Sequence, residues 1–132
     1  MPLNPSWSVN NRGVAFRVPA GPPDGRRVEH GVAGADANPY LLAAMVLGGM
    51  LHGIGNRLDP GPVLAGNAYR DPRPTIPLSW PEAIAAFERS DFARQCLGER
   101  FATLYALTRR GEMQDFNSYV SPLEFSWYLT TV

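Results

Sequence analysis

The chain has 132 residues, 45% apolar and 18% charged, which is enough for one modest domain and too few for two. Twelve basic residues balance twelve acidic ones, so no net charge directs the chain to nucleic acid or to an acidic membrane. All the basic residues are arginines, which excludes chemistry that needs a P-loop lysine or a Schiff-base lysine. The single cysteine, Cys96, forms no internal disulfide, and no signal-peptide pattern is visible, so we expect a cytoplasmic protein.

Two short strands are predicted in the first thirty residues. Residues 1–12 are polar and are expected to be irregular. Apolar side chains then alternate with a period of two, which predicts a strand at about 13–18. The turn composition of residues 21–25 and a second short strand at 26–30 follow, and this order is compatible with a hairpin.

The clearest helix begins at Asn38 and Pro39, a good N-cap followed by a residue suited to the first turn. The following residues, 40–51, are apolar on every side. At about 1.5 Å per residue, the stretch from Pro39 to Ile54 spans about 24 Å, less than the ~30 Å of a bilayer core. A helix without a polar face predicts burial in a protein core and not a membrane span.

Four further helices are predicted after a long loop at 55–78. Serine and glutamate at capping-box spacing, Ser79 with Glu82 and Ser121 with Glu124, mark the first and the last of them. The predicted helices run from Ser79 to about Glu88, from Ser90 to Gly98, from Phe101 toward Phe116, and from Ser121 to near Leu129. The fold class is therefore α+β, with two short strands followed by about five helices. Two strands alone make a marginal sheet, so we expect the chain to be incomplete by itself.

The polar residues that can carry chemistry are concentrated in the strand region, namely Asn11, Arg12, Arg17, Arg26, Arg27, Glu29 and His30. Arginine side chains are planar bidentate donors that suit phosphate or carboxylate. Glu29 is a candidate metal ligand or base. The alternative is a strand pair whose arginines are solvated or form salt bridges with neighbouring carboxylates.

Three motifs in this region resemble one family. The segments N-R-G-V-A-F-R-V-P at 11–19, R-R-V-E at 26–29 and A-D-A-N-P-Y-L at 35–41 are similar to the C-terminal third of the glutamine synthetase catalytic domain. The helical end of the chain also resembles that family, in particular its gamma-glutamylpolyamine synthetase-like branch. The resemblance extends from Trp7 to Leu129 and makes residues 1–132 a C-terminal segment of such a catalytic domain.

The resemblance implies an ATP-dependent ligase that uses Mg²⁺ or Mn²⁺ to join glutamate to ammonia or an amine. On this pattern Arg12, the catalytic residue, contacts glutamate and the transferring phosphate. Arg17 holds ATP phosphates, Arg27 assists at the nucleotide, and Glu29 is one ligand of the metal ion. Phosphoryl transfer depends mostly on positioning and charge neutralisation, which arginines and divalent cations supply.

The chain also departs from the family pattern. Gly31 stands where the family has an arginine for the substrate carboxylate, and Trp7-Ser8 stands where it has W-G. The other metal-binding glutamates, a histidine, the rest of the nucleotide site and a small β-grasp domain lie upstream in family members. We therefore expect a segment that is inactive alone and that belongs to a homo-oligomer.

Two alternatives remain at the level of the sequence. The first is a non-catalytic truncated relative that assembles with full-length subunits. The second is an arginine-lined anion-binding module unrelated to the family.

Overall fold

Three short strands and five α-helices make up the regular structure of the computed structural model, which describes residues 2–70, 75–129 and 131. The chain divides into two units, Met1–Leu78 and Ser79–Val132. The first unit contains β1 (Trp7–Val9), β2 (Phe16–Val18), a 3₁₀ turn (Pro23–Gly25), β3 (Glu29–His30) and α1 (Pro39–Gly55). The second contains α2 (Trp80–Glu88), α3 (Asp91–Leu97), α4 (Glu99–Ser118) and α5 (Pro122–Tyr128). This α+β architecture confirms the predicted fold class.

The strands form one sheet in the order β1-β2-β3, with β1 parallel to β2 and β3 antiparallel to it. The antiparallel pair confirms the hairpin, although β3 has only two residues and begins after the predicted start at Arg26. The prediction that residues 1–12 are irregular was wrong for Trp7–Val9, which form strand β1. Contacts distant in sequence hold this strand: the Trp7 indole N–H donates to the Gly61 carbonyl at 2.9 Å, and the Ser8 hydroxyl donates to the Leu64 carbonyl at 2.7 Å.

Helix α1 begins as predicted, because the Asn38 side chain accepts hydrogen bonds from the backbone N–H groups of Tyr40 and Leu41. The prediction that this helix is buried was wrong, since none of its residues is buried and Tyr40 and Ile54 are 84% and 77% exposed. An all-round apolar pattern requires neighbours on every side, and the described residues do not supply them. None of the described helices is both long enough and apolar enough to cross a membrane.

The predicted loop at 55–78 is confirmed from residue 56 to 70 and from 75 to 78, where the structure has neither helix nor strand. The remaining residues of the predicted loop, 71–74, lie outside the described residues.

The helices of the second unit agree closely with the predicted ones. Serines cap three of them, with Ser79, Ser90 and Ser121 each accepting a backbone N–H of the first turn. Helix α4 packs against α2 and α3, and the buried positions are small or branched: Ile84, Ala93, Ala102 and Ala106. A salt bridge between Glu88 of α2 and Arg110 of α4 also joins these two helices.

Candidate functional site

Strands β2 and β3 bring Arg17 and Glu29 together, because the two residues lie opposite each other in the antiparallel register. The Arg17 Nε–H donates to Glu29 Oε2 at 2.9 Å, and Nη2 of the same guanidinium donates to the same oxygen. The side chains of Arg17 and Glu29 are only 19% and 34% exposed, so the salt bridge is partly shielded from water. Residues opposite on one face of a sheet are neighbours whatever their distance in sequence, and this explains the pairing.

Arg27 occupies the other oxygen of the same carboxylate. Its Nε–H donates to Glu29 Oε1 at 3.0 Å, and its Nη2 lies 3.0 Å from that oxygen. The hydrogen bond from Arg17 is the largest cause that lowers the pKa of Glu29 below its usual value, and the bond from Arg27 and both positive charges add to it. Glu29 is therefore an ionised carboxylate held between two guanidinium groups.

A cavity of about 230 Å³ lies beside this pair and is lined by Arg12, Val14, Arg17, Glu29, His30 and Gly31. Arg12 is exposed, and within the described residues it has no hydrogen-bond or ion-pair partner. His30 packs edge-on against Phe16, and its Nδ1 is buried without a partner in the described part of the chain. The cavity thus combines one free guanidinium with one that is held in place.

The structure brings together four of the residues that the sequence singled out: Arg12, Arg17, Glu29 and His30. Arg27 does not line the cavity and is linked to these residues through its salt bridge with Glu29. Arg17 and Arg27 thus both form salt bridges with a neighbouring carboxylate, which was the alternative that the sequence left open. Asn11 instead donates to the Gly66 carbonyl at 2.8 Å and holds the long loop. Arg26 does not line the cavity.

Sequence reasoning missed the wall of the cavity formed by Val14 and by the backbone of Gly31. The Gly31 N–H donates to the Ala15 carbonyl at 2.8 Å, which extends the pairing of β2 with β3 by one step. The one signal in the sequence that could have indicated this wall is the position of Gly31, two residues after Glu29.

The described residues do not fit a divalent metal ion. No group of three or more histidine, cysteine, aspartate or glutamate side chains with metal-binding geometry occurs among them. Magnesium requires a nearly octahedral set of oxygen ligands, and the single carboxylate here already accepts N–H groups at both oxygens. The arrangement is instead suited to oxyanions, which guanidinium groups bind through paired hydrogen bonds.

The fold and the site together thus define an α+β protein with an arginine-lined cavity beside a β-hairpin. The model of the glutamine synthetase catalytic domain matches residues 1–128 of the chain. The chain therefore belongs to the glutamine synthetase family, as the three motifs predicted.

Similar proteins include enzymes named for amine substrates as well as glutamine synthetases. The chain is 38% identical to gamma-glutamylputrescine synthetase of Escherichia coli K12, over 98% of this chain and 27% of that protein. It is 37% identical to a glutamate–isopropylamine ligase of a Pseudomonas species, over 98% of this chain and 29% of the relative. It is 33% identical to glutamine synthetase of Methanosarcina mazei, over 98% of this chain and 31% of that protein. The chain thus spans less than a third of the length of these relatives.

Proposed function

We propose that this chain is the C-terminal segment of the catalytic domain of an ATP-dependent ligase that joins glutamate to ammonia or an amine. The observation that carries the proposal is the convergence of Arg12 and Arg17 on one cavity, with Arg27 held beside it through Glu29. These are the residues to which the family pattern assigns contacts with glutamate and phosphate. In this proposal Arg12 neutralises charge on the transferring phosphoryl group, and Arg17 and Arg27 hold the nucleotide phosphates.

An amine acceptor is favoured over ammonia by the names of two relatives. One is a gamma-glutamylputrescine synthetase and the other a glutamate–isopropylamine ligase, at 38% and 37% identity. The glutamine synthetase of Methanosarcina mazei is 33% identical. We propose putrescine or another small alkyl amine as the acceptor of the complete enzyme.

We further propose that the segment is inactive alone and works in an oligomer of complete subunits in the cytoplasm. Its cavity offers a single carboxylate, so the metal chemistry of such a ligase requires oxygens from other parts of a complete enzyme. Glu29 supplies at most one ligand of that complete Mg²⁺ or Mn²⁺ site. ATP and the metal ion are therefore cofactors of the assembled enzyme in this proposal.

A chimera tests the proposal. The region of the E. coli gamma-glutamylputrescine synthetase that matches this chain is replaced by the chain, and ATP-dependent ligation of glutamate to putrescine is measured. We expect the chimera to form the same oligomer as its parent and to retain ligation activity.

Two arginine variants of the chimera separate catalysis from general charge. Arg12→Gln should lower kcat by about 100-fold or more, since removal of a guanidinium that neutralises a transferring phosphoryl group has effects of this order. Arg26→Gln is the matched control, because Arg26 is exposed and lies outside the cavity, and we expect it to change kcat little. An assembled chimera without activity, or equal losses in both variants, would contradict the proposal.

One observation favours a second function, a non-catalytic relative that assembles with full-length subunits. Helix α1 exposes large apolar side chains, including Tyr40, Leu51 and Ile54 at 84%, 73% and 77%. Exposed apolar surface of this kind is typical of an assembly face. A chain that co-purifies with a complete relative, while the chimera is assembled and inactive, would favour this function over the first.

A further inference from the structure

Glu29 has two features that bear on its role in this chain. Each of its carboxylate oxygens accepts the Nε–H of a different arginine, Arg17 at 2.9 Å and Arg27 at 3.0 Å. In both cases Nη2 of the same guanidinium also contacts that oxygen. Hydrogen bonds between two charged groups are stronger than those between neutral groups.

A cation at this carboxylate meets an unfavourable environment. The guanidinium groups of Arg12 and Arg17 line the same cavity, so the net charge around Glu29 is positive. A divalent ion would have to displace at least one guanidinium and would lie close to the others, and like charges at such distances repel. No further carboxylate of the described residues lines the cavity to offset this repulsion.

We propose that in this chain by itself, without the remainder of a complete enzyme, Glu29 is the shared counter-ion of Arg17 and Arg27 and not a metal ligand, and that the cavity binds a small oxyanion without a divalent metal. Glu29 is then a positioning residue. It holds Arg17 against the cavity wall and leaves Arg12, which has no ion-pair partner among the described residues, to meet the oxyanion. The inference concerns the same residues as the proposed ligase, but it does not require ligase activity, and its test reads the chain itself.

Arginine-specific labelling with phenylglyoxal, followed by mass spectrometry at low micromolar protein, tests the positioning role. Arg26 and Arg27 are adjacent and both exposed, but only Arg27 donates to a carboxylate in the described structure. We expect Arg27 to react about fivefold more slowly than Arg26, which corresponds to a net hydrogen bond of ordinary strength. The variant Glu29→Gln should remove most of this difference.

The salt bridge of Glu88 with Arg110 is an internal control that has no connection with the cavity. Glu88→Gln should accelerate labelling of Arg110 and leave Arg27 unchanged, and Glu29→Gln should do the reverse. Acceleration of both arginines by either variant would indicate general unfolding. In that case the inference is tested on the wild-type chain alone, by comparing arginine labelling with and without Mg²⁺.

Millimolar Mg²⁺ should leave the labelling of Arg17 and Arg27 unchanged, and Mn²⁺ uptake measured by electron paramagnetic resonance should be equal in wild type and Glu29→Gln. Faster labelling of these arginines with Mg²⁺, or Mn²⁺ uptake that disappears in the variant, would overturn the inference. Inorganic phosphate should slow the labelling of Arg12 to the same extent with and without Mg²⁺. A phosphate effect that requires Mg²⁺, or no phosphate effect at Arg12, would also overturn it.

Discussion

Gly31 offers a sharp test of how the cavity is built. In the family pattern this position carries an arginine, whereas in this chain a Cβ atom at position 31 would lie 3.1 Å from the Val14 carbonyl oxygen and 3.6 Å from that of Ala15. The distance to the Ala15 oxygen is ordinary van der Waals contact, whereas the distance to the Val14 oxygen is a few tenths of an ångström too short. Val14 and Ala15 are only 2% and 0% exposed, so their backbone has little freedom to move aside. We therefore predict that Gly31→Ala destabilises the pairing of β2 with β3.

The size of the effect follows from two opposing contributions. Overpacking against a buried backbone costs about 1–3 kcal/mol. Replacement of glycine by alanine restricts the unfolded chain and returns about 0.4–1 kcal/mol. The expected net destabilisation is about 1 kcal/mol, which corresponds to about fivefold faster amide exchange of Phe16–Val18 where exchange proceeds by opening of the sheet.

Hydrogen exchange followed by mass spectrometry at low micromolar protein measures this effect on peptides from residues 13–31. Gly53→Ala is the matched control, because Gly53 lies within helix α1 and a Cβ there has nothing within 4 Å. That substitution should stabilise its helix by about 0.5–1 kcal/mol and slow exchange in residues 39–55. Slower exchange of the sheet in Gly31→Ala, or changes of the same sign in both variants, would refute the reasoning.

Two further predictions concern the state of the chain. At neutral pH and tens of micromolar protein, the chain should self-associate through its exposed apolar surface. The double variant Leu51→Gln with Ile54→Gln should reduce the mass measured by light scattering. A compact wild-type monomer with slow amide exchange in residues 13–30 would contradict this prediction. The hydrogen bond from Arg110 is the main cause that lowers the pKa of Glu88 below its usual value of 4.5. The salt bridge therefore stabilises the fold fully above pH 4.5, and this stabilisation is lost as the pH falls through the pKa of Glu88 in the folded state. Glu88→Gln and Arg110→Gln should each weaken the decrease in thermal unfolding midpoint on acidification below about pH 4.5, and an unchanged pH dependence in both would count against the salt bridge.

The helices were predictable because their signals are local. Asn38, Ser79, Ser90 and Ser121 each accept a first-turn N–H within three residues, and such caps are visible in the sequence. Strand β1 was not predictable in this way. Its three residues, Trp7-Ser8-Val9, are too few for their alternation to indicate a strand, and its hydrogen bonds go to Phe16–Val18 and to a loop more than fifty residues away.

The site was predictable in its residues and not in its pairing. The arginines and Glu29 could be identified from spacing and from the family motifs. The partners of Glu29, however, depend on the register that sets it opposite Arg17 and on the side chain of Arg27, which contacts the other oxygen. The prediction that α1 is buried was wrong for a related reason, because an apolar pattern does not tell whether the elements that would cover the helix lie within the chain.

The central claim is that the arginine cavity is one part of a ligase active site that requires the remainder of the enzyme. Phosphate release from ATP in the presence of glutamate, Mg²⁺ and putrescine, measured on the chain alone beside Glu29→Ala, tests it most directly. We predict no release above that control, because the cavity is lined by a single carboxylate and the described residues include no cluster of three or more metal-binding side chains. Release or ligation clearly above the control would contradict the claim, since a complete site would then exist within these 132 residues.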